Sequence, residues 1–173
     1  MKKIILLFLL LFFLSGCSTN RASDAVESYL MKFKNHDEEV LNSLEELISI
    51  ENLSLHQQEK YALVMKRQYQ DLKYKTTREY YNGDDAIISE EIEVYDYIHS
   101  KNKAKETYLE QKDSMDKVKY QELQLENMIH ESKRIKYTID FELHYQEDGW
   151  HIMNVDYTIL QKIHGIYSED STK

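Results

Sequence analysis

Ile135, Tyr137, Ile139, Phe141, Leu143 and Tyr145 take every odd position of one stretch, and Lys136, Thr138, Asp140, Glu142, His144 and Gln146 take the even ones. Side chains alternate sides along an extended backbone, so this is a strand with one covered face and one wet face. A helix would scatter the same residues around its circumference. Such a strand needs a pairing neighbour and a second layer over its apolar side. The rest of the chain must supply both, and it contains no proline to divide it.

Glu147-Asp148-Gly149 turns the strand, and Trp150, Ile152, Met153 and Val155 return. A two-residue turn at Asp148-Gly149 puts Trp150 and Ile152 on the apolar face, whereas a bulge puts Met153 and Val155 there; both registers are open. Ile159-Leu160 and Ile163 form a last strand or a helical turn, and Gly165 onward is tail. Upstream, Leu72, Tyr74 and Thr76 alternate with Lys73, Lys75 and Thr77. Asn82-Gly83-Asp84-Asp85 turns, and Ala86, Ile88, Ile92 and Val94 answer as a second antiparallel hairpin.

The covering layer reads as helices. Asp24, with Glu27 three residues on, caps a face of Val26, Tyr29, Leu30 and Phe33. Asp37 caps Val40, Leu41, Leu44, Leu47 and Ile48, with His36 a solvated turn residue before it. Ser54 and Gln57 form a capping box ahead of Tyr61, Ala62, Met65 and Tyr69. Between the hairpins, His99 to Arg134 is a charged helical stretch without Gly or Pro. As one helix it would be ~54 Å long, so a break near Asp113–Asp116 is expected. It either packs on the core from Val118 or protrudes as an arm along Tyr108, Met115, Val118, Leu125 and Ile129. The class is α+β: N-terminal helices packed on a curved antiparallel sheet, in the order helices, β-hairpin, long helix, β-hairpin.

The chain opens with Met1-Lys2-Lys3, the apolar run Ile4–Leu14, and the small residues Ser15 and Gly16. Basic start, short apolar run and small residues describe a secretory signal peptide. A bilayer span needs about 20 apolar residues. Leu14-Ser15-Gly16-Cys17 resembles the lipobox of bacterial prolipoproteins. The resemblance implies cleavage between Gly16 and Cys17, a diacylglyceryl group on Cys17, and a mature protein lipid-anchored on the extracytoplasmic face of the cell membrane. The divisions expected are 1–16 cleaved, 17–23 a lipidated tether, 24–165 a single domain and 166–173 a flexible tail. Cys17 is the sole cysteine, so the domain has no disulfide. Lys2 and Lys3 leave with the signal, so 20 basic residues face 31 acidic ones, a formal charge of −11. That balance argues against nucleic acid as a partner.

Tyr29-Leu30, Phe33 and Asn35-His36-Asp37 at the start, with Glu147-Asp148-Gly149-Trp150 near the end, resemble small bacterial lipoproteins of the nuclear transport factor two-like type. That resemblance implies a curved sheet wrapped on helices into a cone, and transfers no catalytic residue.

Enzymes on that fold, such as ketosteroid isomerases, set an Asp base and a Tyr donor inside the cone. Tyr137, Tyr145 and Asp156 are the corresponding cavity candidates here, while Asp140 and Glu142 lie on the other face. His144 and His151, with Glu142, flank the last turn but are too few for a zinc site. Glu90, Glu91 and Glu93 lack calcium-loop geometry. No metal or cofactor is expected. Neither a phosphate-binding glycine loop nor a nucleophile elbow occurs. The expectation is a non-enzymatic lipoprotein that binds a small apolar ligand or a protein partner through the cone. The alternatives are an enzyme with a cavity Asp/Tyr site and an assembly lipoprotein using the long helix as an arm. Cys17→Ser is predicted to abolish incorporation of radiolabelled palmitate and to leave the precursor uncut on a denaturing gel.

Overall fold

The computed structural model describes residues 21–168. The signal segment, Gly16 and Cys17 lie outside the described residues. The described chain runs α1 (Ala22–Asn35), α2 (Glu38–Ile50), α3 (Leu55–Gln70), β1 (Lys73–Asn82), β2 (Asp85–Tyr95), α4 (Tyr97–Glu110), α5 (Lys117–Ile129), β3 (Arg134–Gln146), β4 (Gly149–Ile152) and α6 (Tyr157–His164). It is α+β. The four strands form one antiparallel meander in the order β1-β2-β3-β4, and the sheet is open rather than closed.

The alternation in β3 sets the layering. Ile139, Phe141 and Leu143 are buried, the residues between them are exposed, and Ala86, Ile88, Ile92 and Val94 of β2 continue the same face. Helices α1 and α3 cover it with Val26, Leu30, Phe33, Tyr61, Met65 and Tyr69. Tyr29 meets Phe141 edge-on at 6.0 Å, and Phe33 meets Tyr69 at 5.2 Å. Each fully buried Leu, Ile or Phe contributes roughly 1.5–3 kcal/mol, so this face dominates stability. The opposite face is polar except near the hairpin turns, where Tyr80 pairs with Ile87. Lys73 and Arg134 bridge to Glu93 and Lys136 to Glu91, at 2.7 to 2.8 Å.

Several local readings are corrected. α1 starts at Ala22, and Asp24 acts from its third residue, accepting the Arg21 amide at 3.2 Å. The α2 cap position is Asp37, whose side chain makes no capping bond. Ser54 and Gln57 do form the expected reciprocal pair. The first hairpin turns on Gly83-Asp84, with Gly83 at φ 64°. The second turns on Glu147-Asp148, because Gln146 pairs with Gly149. That slip of two residues relative to an Asp148-Gly149 turn preserves side-chain parity. Trp150 and Ile152 therefore sit opposite Tyr145 and Leu143 on the apolar face, and Met153 is exposed.

The long helical stretch is two helices broken at 111–116. They run antiparallel, since Ser100 meets Asn127 while Tyr108 packs on Tyr120 at 4.8 Å. Within the pair Leu125 is buried, whereas Val118 is exposed. The pair is tied to α3 by Lys60 bridging to Glu122 and Glu126 and by Arg67 donating to Ile129 and Glu131 carbonyls.

Ile159 and Ile163 belong to a helix, not a strand, and Gly165 is its cap rather than the start of a tail. Gly165 adopts φ 71°, and its carbonyl accepts the Tyr97 amide at 3.0 Å. Ile166 packs on the core, and the Tyr167 carbonyl accepts Tyr137 Oη at 3.0 Å, so the expected tail begins with held residues. A Cβ at Gly165 would stand 2.1 Å from the Tyr95 carbonyl oxygen. The left-handed backbone and this contact together predict that Gly165→Ala destabilises the protein by about 2 kcal/mol or more, read as a lowered urea midpoint.

Candidate functional site

The three cavity candidates do not converge. Tyr137 donates to the Tyr167 carbonyl, and burial pushes its phenol up to about 12. It lines a polar groove of about 530 Å³ with Asp96, His99 and Lys133. Tyr145 stands at the hairpin tip against Trp150. Asp156 is exposed and caps α6, accepting the Ile159 amide at 2.8 Å. Its neighbour Asn154 braces the β3 edge, taking the Glu142 amide and donating to the Asp140 carbonyl, both at 3.0 Å.

His144 and His151 are direct cross-strand partners, as their spacing suggested. Each takes its own carboxylate, Asp85 at 2.8 Å and Asp148 at 2.7 Å, and no group of metal-ligating side chains forms among the described residues. The acidic run on β2 splits by face. Glu91 and Glu93 join the outer ladder, while Glu90 is fully buried. Glu90 accepts Thr76 Oγ1 at 2.5 Å, and burial raises its carboxyl above the usual range.

Ser100, His99 and Glu131 stand together in the manner of a catalytic triad, yet the order of contacts differs. Ser100 Oγ and His99 Nδ1 both bond Glu131 Oε2, at 2.6 and 2.9 Å, and the Ser132 and Lys133 amides take Oε1. A triad needs the histidine between serine and carboxylate. Burial alone would raise Glu131; the Ser100, His99, Lys133 and Ser132 donors outweigh it and hold the carboxyl at about 2. The group is a latch between α4 and the strand entering β3.

The apolar concavity lies elsewhere, between α2 on one side and β4 and α6 on the other, with α1 and the end of α3 as its floor. It encloses about 700 Å³. Leu44, Leu47 and Ile50 of α2 face Ile152, Val155 and Leu160, above Tyr29, Phe33 and Tyr69. Its volume falls within the usual range for small-molecule sites, and its lining is mainly apolar with few polar groups. Lys32 at its rim is paired with Glu39 at 2.7 Å. His164 closes the floor, with Nε2 2.9 Å from Tyr69 Oη, and burial depresses its pKa to about 4. Sequence reasoning missed His164 and the cleft. The one available signal was the helical spacing of Tyr157, Leu160 and His164 along one face.

The first 18 residues match the family model for a prokaryotic membrane lipoprotein lipid attachment site. That match supports a lipid-anchored, membrane-associated lipoprotein. No helix among the described residues is long and apolar enough to cross a membrane. No curated protein matches the chain. Among solved structures, the chain is similar to "a putative lipoprotein (ycdA)" from Bacillus subtilis subsp. subtilis str. 168, at 15% identity and a TM-score of 0.43. The alignment covers 77% of this chain and 47% of that one, so this chain spans about half its length.

His164 gives the floor of the cleft a pH dependence. Its folded pKa of about 4 lies below the ordinary 6.5, so the unfolded chain takes up the proton first as pH falls. Its contribution to stability is complete above about 6.5 and is lost as pH drops toward about 4. The predicted outcome is that His164→Phe flattens the fall of the urea midpoint across that window. The ring signals of His164 should stay those of the neutral form at pH 5 in NMR titration.

Proposed function

We propose that residues 1–16 are removed, that lipidated Cys17 holds the protein on the extracytoplasmic face, and that the domain, running from Ala22 to Tyr167, is a non-enzymatic binding module for a small apolar molecule. The tether is shorter than the expected 17–23, because Ala22 and Ser23 are buried in α1, and it keeps the domain near the bilayer. The observation that carries the reading is the cleft between α2 and α6, where apolar side chains from four helices and β4 line about 700 Å³. Helices on one face of an open antiparallel sheet support a cone of the nuclear transport factor two-like type. Separation of Tyr137, Tyr145 and Asp156 supports binding over Asp/Tyr chemistry, and the pairing of α4 with α5 already engages Tyr108 and Leu125 of the arm's stripe.

The test uses the fluorescent probe N-phenyl-1-naphthylamine. Leu47→Glu places a charge in the cleft at a half-buried position of α2 and is predicted to weaken probe binding by at least about tenfold, ~1.4 kcal/mol. Circular dichroism checks that the fold is retained. Equal binding by the folded variant would refute the cleft as the site.

A further inference from the structure

The end of the sheet where both hairpins turn carries large apolar side chains on both faces. On the helix-covered side Tyr81 and Tyr145 pack edge-on against Trp150, with ring centres 5.7 and 5.2 Å apart. On the other side Tyr80 and Ile87 are a cross-strand pair. Tyr80 is 58% exposed, Tyr81 44% and Tyr145 41%.

The chain enters the domain at this same end. Arg21 Nη2 donates to Glu79 Oε1 at 2.5 Å, and Tyr81 Oη donates to Glu79 Oε2 at 2.8 Å. Cys17 lies four residues before Arg21, and four residues reach at most ~14 Å when fully extended. A bilayer that holds Cys17 by its acyl chains therefore lies close to these aromatic rings. Tyr and Trp favour the head-group level, where an apolar ring and a polar tip are both satisfied.

The charge at this end selects among lipids. Asp84, Asp85, Glu147 and Asp148 lie at the two turns; His144 faces Asp85, His151 faces Asp148, and Arg21 is engaged by Glu79. Among the described residues this end holds no basic cluster to meet anionic lipid, whereas ammonium-bearing head groups complement the carboxylates. We propose that this end rests on the bilayer surface. Tyr80, Tyr81, Tyr145 and Trp150 sit at head-group level, and the turn carboxylates meet the ammonium groups of zwitterionic lipid. The proposal rests on lipidation of Cys17 and is independent of the cleft.

Trp150 is the sole tryptophan and serves as the reporter. The full lipidated protein, with the Cys17 adduct verified by mass spectrometry, is reconstituted in phosphatidylethanolamine–phosphatidylcholine vesicles carrying a head-group spin label. Trp150 emission is expected to be quenched severalfold relative to label-free vesicles. Quenching is expected to fall in the double variant Tyr80→Ser, Ile87→Ser, whose substitutions lie on the face away from Trp150, and to fall again as phosphatidylglycerol replaces the zwitterionic lipid. Absence of quenching in verified lipidated protein overturns the docking. Unchanged quenching in the folded double variant shows that the tether alone brings Trp150 near lipid, and overturns it as well. Stronger quenching with phosphatidylglycerol overturns the choice of head group.

Discussion

Gln68 is the interaction on which the arrangement of the helical layer depends. Its side chain is 1% exposed and fully committed in two directions. Its oxygen accepts the Tyr95 amide at the end of β2, and its nitrogen donates to the Ile163 carbonyl near the end of α6. A buried amide left half-satisfied costs about 1–3 kcal/mol, so both bonds have to form together. They fix the C-terminal helix against α3 and the sheet. Gly165, whose missing Cβ lets the backbone approach Tyr95, completes the joint. Leu160 and His164, carried by the same helix, then take their places in the cleft wall.

The cleft therefore depends on a joint on the far side of the helix that lines it. Its other wall, α2, is anchored by Val40, Leu44 and Ile48 and leaves Leu47 half-buried and Ile50 78% exposed. A helix with a narrow buried stripe and a second apolar edge has surface to share with a ligand. The polar outer face of the sheet behaves differently. Its Lys73–Glu93 and Lys136–Glu91 pairs are exposed at the lysine and worth about 0–1 kcal/mol each, and Arg134 shares Glu93 from a half-buried position.

Much of the architecture was legible in single residues. The odd-position run in β3 identified its buried face, Ser54 and Gln57 marked the start of α3, and the uninterrupted charged stretch near Asp113–Asp116 broke where its length required. Other features needed distant residues. The turn at Glu147-Asp148 in place of Asp148-Gly149 is set by pairing along the whole of β3, and a slip of two residues leaves no trace in the alternation. The start of α1 lies at Ala22 rather than after Asp24, with Arg21 at the cap position held by Glu79, 58 residues away in the chain.

By itself the sequence determined the anchor motif at Cys17, the α+β class, the buried faces of β2 and β3 and the acidic balance, because each is a matter of local spacing or simple count. Tertiary structure alone decided the site. Tyr137, Tyr145 and Asp156 share tyrosine or carboxylate chemistry, but their separation is set by strand position and helix capping. The cleft joins Tyr29, Leu44, Ile152 and His164, which lie far apart along the chain. Such a convergence has no periodicity, and only the packing of α2 on α3, and of α6 on α3 and β2, brings it about.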